Sequence, residues 1–241
     1  MEAIKAVNLT KKYKDTVALD DFSLQIEKGE LFSLLGVNGA GKTTAIKILS
    51  CLTKPTEGDA FVLGNSIIKN EFEVKRAIGV SPQETAVAPN LSVRENLELI
   101  CGIHGFSADK CEKKLAQLAE SLRLGAVMKK KAGKLSGGWQ RRLSIAMALI
   151  AEPKILFLDE PTLGLDVIAR SELWDIIRAL KGKTTVVMTT HYMEEAEALS
   201  DRIGIMKNGK LLVVGTAHEL MEMTSAARFD EAFISIVKGR E

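Results

Sequence analysis

The sequence predicts an α/β fold: a mixed, mostly parallel sheet flanked by helices, an antiparallel β subdomain before it, and an inserted α-helical subdomain. Three observations predict it. Leu31-Phe32-Ser33-Leu34-Leu35, Ile155-Leu156-Phe157-Leu158 and Thr185-Val186-Val187-Met188-Thr189 are continuous apolar runs, as parallel strands buried on both faces should be. The opening residues alternate instead, through Ile4, Ala6 and Leu9 and again through Phe22, Leu24 and Ile26, the pattern of short antiparallel strands. Residues 92–126 change to a helical period.

In chain order, Glu27-Lys28-Gly29-Glu30 is a turn after the second alternating run. The run at 31–35 then meets Gly36-Val37-Asn38-Gly39-Ala40-Gly41-Lys42-Thr43-Thr44, a complete GxxxxGK[ST] phosphate-binding loop, and residues 44–49 follow as a helix. Gly36, Gly39 and Gly41 permit a tight turn whose N–H groups, with a helix N-terminus, point at an anion. Lys42 is placed to reach the β- and γ-phosphates and the Thr43 hydroxyl to complete a Mg²⁺ shell. The chain therefore binds a nucleoside triphosphate and carries a P-loop NTPase core. Residues 60–64 and 77–81 are further strands.

Ser92 and Glu95 have capping-box spacing at the start of the helical stretch. Leu97, Ile100 and Cys101 share one helical face, and Leu115, Leu118, Ala119 and Leu122 another. The chain reads as one domain over 1–241, with residues 1–83 and 146–241 forming the core and 84–145 the helical insertion. A helix over 167–180 joins two buried strands into a βαβ unit. Asn208-Gly209 between apolar runs at 203–206 and 211–214 predicts a hairpin. Helices near 218–223 and 229–237 close the chain.

The strand at 155–158 ends in Asp159-Glu160. Beside a phosphate loop this is a Walker B pair: Asp159 holds Mg²⁺ through water, and Glu160 orients or, as general base, deprotonates the attacking water.

Bulk properties narrow the partners. Apolar residues make up 46% and charged residues 27%, as in soluble globular proteins. No apolar run reaches the ~18 residues a bilayer span needs, and residues 143–158 are broken by Glu152, Pro153 and Lys154. No secretory signal is expected after Met1-Glu2. A net charge of +2 gives no nucleic-acid footprint, and the lysines at 129–134 read as a solvated loop. Cys51, Cys101 and Cys111 lack metal-ligand spacing and read as reduced thiols.

Leu135-Ser136-Gly137-Gly138-Trp139-Gln140 begins a helix between the two Walker elements, a second anion cradle built from Ser136, Gly137 and Gly138. This segment resembles the signature of the ATP-binding cassette (ABC) ATPases, and the resemblance extends from Tyr13 to about residue 239. It implies that Tyr13 stacks on adenine, that Gln83 contacts Mg²⁺ or water and couples to a transport partner, that Asp166 in Gly164-Leu165-Asp166 lines a dimer seam, and that His191 contacts the γ-phosphate. Trp139 stands where many relatives carry glutamine and is expected to pack either on the partner subunit or on the helical core; Gln140 receives no role. The implied machine is a head-to-tail pair, with itself or a homologous cassette, in which ATP lies between residues 36–44 of one chain and 135–138 of the other.

Residues 190–197 and 229–234 are similar to ABC-2 type exporters. The expectation is an ATP-hydrolysing subunit on the cytoplasmic face of a membrane, driving export through separate transmembrane permease subunits. The alternative is a soluble ABC ATPase acting on ribosomes or DNA.

Overall fold

The computed structural model describes residues 1–239. The strands are β1 (Glu2–Tyr13), β2 (Thr16–Glu27), β3 (Leu31–Gly36), β4 (Glu57–Val62), β5 (Asn65–Ser66), β6 (Ile78–Ser81), β7 (Ile155–Asp159), β8 (Thr185–Thr190), β9 (Arg202–Lys207) and β10 (Lys210–Gly215). The α-helices are α1 (Lys42–Leu49), α2 (Glu71–Ala77), α3 (Val93–Ile103), α4 (Ala108–Ser121), α5 (Gly137–Leu149), α6 (Val167–Arg178), α7 (Met193–Leu199), α8 (Ala217–Thr224) and α9 (Phe229–Lys238).

Two sheets form. β2, β1, β4 and β5 lie in that order in a four-stranded antiparallel sheet, and the six-stranded sheet runs β10-β9-β3-β8-β7-β6. Its neighbours are parallel except β10, which returns antiparallel on β9. Every residue of β3, β7 and β8 is buried, which is why their sequences do not alternate. Phe22, Phe32, Ile46 and Phe157 belong to one core cluster that joins both sheets through α1. A second cluster joins the helical block to the parallel sheet through Leu97, Leu115, Leu143, Leu156 and Met188. A third gathers Leu35, Ile205, Leu220 and Phe229 under the last two helices.

The helix α3 opens on the expected capping box: Ser92 Oγ accepts from Glu95 N at 3.2 Å, and Glu95 Oε2 accepts from Ser92 N at 2.6 Å. The boundary expected at 145/146 falls inside α5, which carries the chain from the helical block back towards β7. Neither α2 nor α7 is foreseen by the sequence reading. Each has only seven residues, and α2 buries Val74 alone, so no periodic stripe marks it.

The register aligns the chemistry. Leu35 pairs with Thr190, Asp159 with Thr189 and Ser81 with Leu158, so the C-terminal ends of β3, β8, β7 and β6 meet along one sheet edge. Ligands of open α/β sheets bind at that edge. The β9–β10 hairpin turns through Asn208 (φ 50°) and Gly209 (φ 79°), both positive as a type I′ turn requires. Gly209 N donates to Ala40 O and its carbonyl accepts from Asp20 N, both at 3.0 Å, so the hairpin braces the phosphate loop.

Candidate functional site

The phosphate loop is tied to its glycines by close approach. A side chain at Gly36 would bring its Cβ to 2.5 Å from Met206 O, and one at Gly41, where φ is +102°, to 2.5 Å from Ala18 O. Gly41 leaves the α1 N-terminus without a side-chain cap, so its first N–H groups are available to an anion. Lys42 opens α1 and is buried. Its Nζ donates to Gly36 O (2.7 Å) and Val37 O (3.2 Å) and lies 3.6 Å from Glu160 Oε1. Burial lowers its pKa, and the charges of Glu160 and Asp159 oppose that shift.

Asp159 and Glu160 complete the floor, and both are buried. Asp159 Oδ1 accepts from Thr43 Oγ1 at 3.0 Å and from Thr189 Oγ1 at 2.5 Å. A hydroxyl and a carboxylate at this spacing are hard oxygen donors of the kind Mg²⁺ takes beside phosphates and water. Glu160 has φ 45°, held by its N–H donating to Thr189 O (3.2 Å) and Oγ1 (2.9 Å). A non-glycine residue in that region carries about 1–3 kcal/mol of strain and persists only where its surroundings fix it. Glu160 Oε2 lies 3.2 Å from His191 Nδ1.

A cleft of about 430 Å³ collects Asn38, Gly39, Ala40, Gly41, Lys42, Thr43, Thr44, Gln83, Glu160 and His191, together with Leu163 and residues 16–18. Asp159 lies beneath Thr43, and Gly36 supplies a carbonyl to Lys42. Other expected residues lie apart. Tyr13 ends β1, 43% exposed, with Lys11 Nζ 4.9 Å from its ring centroid, and it is not among the residues lining the cleft. Ser136, Gly137 and Gly138 start α5 in the helical block, and the Ser136 hydroxyl caps nothing. A Cβ at Gly138 would sit 3.1 Å from Ala169 Cβ, so this turn packs on α6. Asp166 caps α6, accepting from Ala169 N at 2.9 Å.

The ABC transporter family pattern matches residues 19–163. The chain belongs to the ABC transporter family. It is an ATP-binding subunit and an ATPase. The daunorubicin resistance ATP-binding protein DrrA3 of Streptomyces coeruleorubidus is 41% identical over 229 residues, 95% of this chain and 72% of that protein. The doxorubicin resistance ATP-binding protein DrrA of Mycobacterium tuberculosis is 44% identical over 206 residues, 85% of this chain and 62% of the relative. A dimeric post-hydrolysis ATP-binding cassette bound to ADP and Pi superposes with a TM-score of 0.80 at 30% identity, covering 88% of this chain and 98% of the other.

Arg141 and Thr189 escape the sequence reading. Arg141 sits buried in α5 and donates from Nη1 to Pro82 O (2.6 Å) and from Nη2 to Gln83 O (2.5 Å). It therefore clamps the backbone beneath Gln83 to the helix that begins at Ser136. Its only sequence signal is a charge among Leu143, Ile145 and Ala146 on a buried helix. Thr189 braces both acids, and nothing in a β-branched strand distinguishes it. Trp139 is partly buried against the helical core, with the Arg142 guanidinium 4.6 Å from its ring. Gln140 Nε2 donates to Ala132 O and Leu135 O at 3.1 and 3.4 Å, bracing the loop before the signature.

Proposed function

We propose that the chain powers export through separate membrane-spanning permease subunits, by binding and hydrolysing ATP in a head-to-tail pair of cassettes. One observation carries the paired reading. Ser136, Gly137 and Gly138 form an uncapped helix start on the helical block, with Ser136 and Gly137 exposed, while Lys42, Glu160, Gln83 and His191 line a different cleft. Two anion cradles that do not face one nucleotide within a chain can do so between two copies. Exposed Val167 and Ile168, 71% and 74% accessible beside Asp166, give the seam apolar surface. The solved cassette bound to ADP and Pi is itself dimeric.

In this reading Lys42 and the residues 36–44 backbone hold the β- and γ-phosphates. Thr43, Asp159 and Gln83 hold Mg²⁺, which neutralises phosphate charge when bound. Glu160 takes the proton of the attacking water and His191 contacts the γ-phosphate. Tyr13 stacks on adenine, and Asp166 lines the seam. ATP binding closes the pair and hydrolysis opens it. Export is supported by the resistance proteins among the relatives, and the working location is the cytoplasmic face of the membrane. Among the described residues no helix is long and apolar enough to cross a bilayer.

The test is Glu160→Gln. Turnover should fall by about 10²–10⁴-fold, the range for a lost general base, while ATP converts the variant to a stable dimer. Normal turnover in Glu160→Gln removes the general-base assignment.

A further inference from the structure

Behind His191 lies a carboxylate that none of the roles above uses. Glu195, in the first turn of α7, is 0% exposed. Its Oε1 accepts from Trp174 Nε1 of α6 at 3.0 Å. Its Oε2 and the Thr162 hydroxyl are both buried, and neither closes a hydrogen bond among the described residues. The donors that face it are Trp174 from α6, Thr162 from the strap after Glu160, and Thr190 from the end of β8; the Arg170 charge reaches it as well. Thr190 Oγ1 in turn accepts from Tyr192 N at 3.0 Å, fixing the turn that carries His191. The His191 and Tyr192 rings lie 4.1 Å apart, and the Arg170 guanidinium lies 5.5 Å from Tyr192 and 5.8 Å from Trp174.

Glu195 thus lies where three segments that matter separately come together, bonded to Trp174 and facing Thr162 and Thr190. The strap 161–163 leads from Glu160 into Gly164-Leu165-Asp166, α6 packs against the signature turn, and the 190–192 turn carries His191. A buried carboxyl group is expensive unless its partners are satisfied. A simple core position here would take an apolar side chain at no such penalty. Burial pushes the Glu195 pKa up, and its donors offset only part of that rise. A protonated carboxyl can accept from Trp174 and donate to a threonine hydroxyl, as a glutamine amide can.

We infer that Glu195 is a positioning residue for ATP hydrolysis: its carboxyl group ties α6 and the Thr162 strap to the Thr190–Tyr192 turn and so fixes His191 against Glu160. This rests on the proposed roles of those two residues. It predicts a loss in the chemical step with little change in nucleotide binding, because the contacts of Glu195 are with Trp174, Thr162, Thr190 and Arg170 and not with the phosphate loop.

The experiment compares Glu195→Gln, Glu195→Ala and Trp174→Phe in the full chain, measuring kcat, the KM for ATP and affinity for a fluorescent ATP analogue. Glu195→Ala and Trp174→Phe should lose about tenfold or more in kcat, within the ~100-fold that a 1 Å misplacement can bring. KM and analogue affinity should stay within about threefold, and Glu195→Gln should keep most of the wild-type turnover because it preserves the hydrogen-bonding shape. Unchanged kcat in Trp174→Phe, or Glu195→Gln as slow as Glu195→Ala, overturns the inference. If Glu195→Ala does not fold, the Gln and Phe variants decide alone, by rescue in one and a kcat loss at constant KM in the other. Glu160→Gln, run in parallel, tests the underlying reading: normal turnover there overturns the site assignment, whatever Glu195 does.

Discussion

Lys42 is a cation in a buried setting, opposed to Glu160 at 3.6 Å and to two loop carbonyls. Phosphate oxygens are better partners than carbonyls for an ammonium. Lys42→Ala should therefore weaken ATP binding by about 10–100-fold, corresponding to a charged hydrogen bond worth ~1.5–3 kcal/mol. Isothermal titration calorimetry checks this, and unchanged affinity would remove Lys42 from the phosphate site. Glu195 gives a pH prediction. Its folded pKa lies above the ordinary 4.5, so the folded chain holds this proton more tightly than the unfolded chain. Its contribution is fully present below 4.5 and is lost as pH rises through the folded pKa. The Glu195→Gln variant does not titrate there. Its melting temperature should match wild type near pH 4.5 and exceed it by pH 8; a constant difference across that range contradicts the shift.

Elements place these residues, and their placement was legible to different depths. The strand–loop–helix at 31–49 announces itself, because the glycines at 36 and 41 are demanded by carbonyls 2.5 Å from any added Cβ. Gly41→Ala should destabilise the chain by at least about 1–3 kcal/mol, the strain at φ +102° to which the clash of Cβ with Ala18 O adds, and weaken ATP binding; chemical denaturation measures the first. The capping box at Ser92 was equally plain, and Ser92→Ala should cost about 1 kcal/mol. By contrast α2 buries a single apolar residue, Val74, so its sequence carries no apolar stripe that a helical period could show. The sequence around α7 offers Glu194, Glu195 and Glu197 together, and only the stripe of Glu195, Ala196 and Leu199 marks which carboxylate turns inward. Arg141 and Thr189 act through backbone and carboxylate partners far away in sequence, contacts that only the folded register creates.

At the scale of the molecule, the cleft lacks an element that the same chain carries elsewhere. The residues proposed to hold phosphate lie along the C-terminal ends of β3, β6, β7 and β8, while Ser136–Gly138 packs on α6 beside Asp166. The proposed composite site requires two copies, so ATPase activity per chain should rise with protein concentration and then saturate; activity independent of concentration contradicts pairing. The most direct measurement is complementation. Lys42→Ala disables the phosphate loop of one copy and Ser136→Glu the signature of the other, and each variant alone should be inactive. Mixed, they restore one intact site in a head-to-tail pair, so turnover should recover to a substantial fraction of wild type. A mixture as inactive as its parts, with both variants folded and able to dimerise, would contradict the shared site.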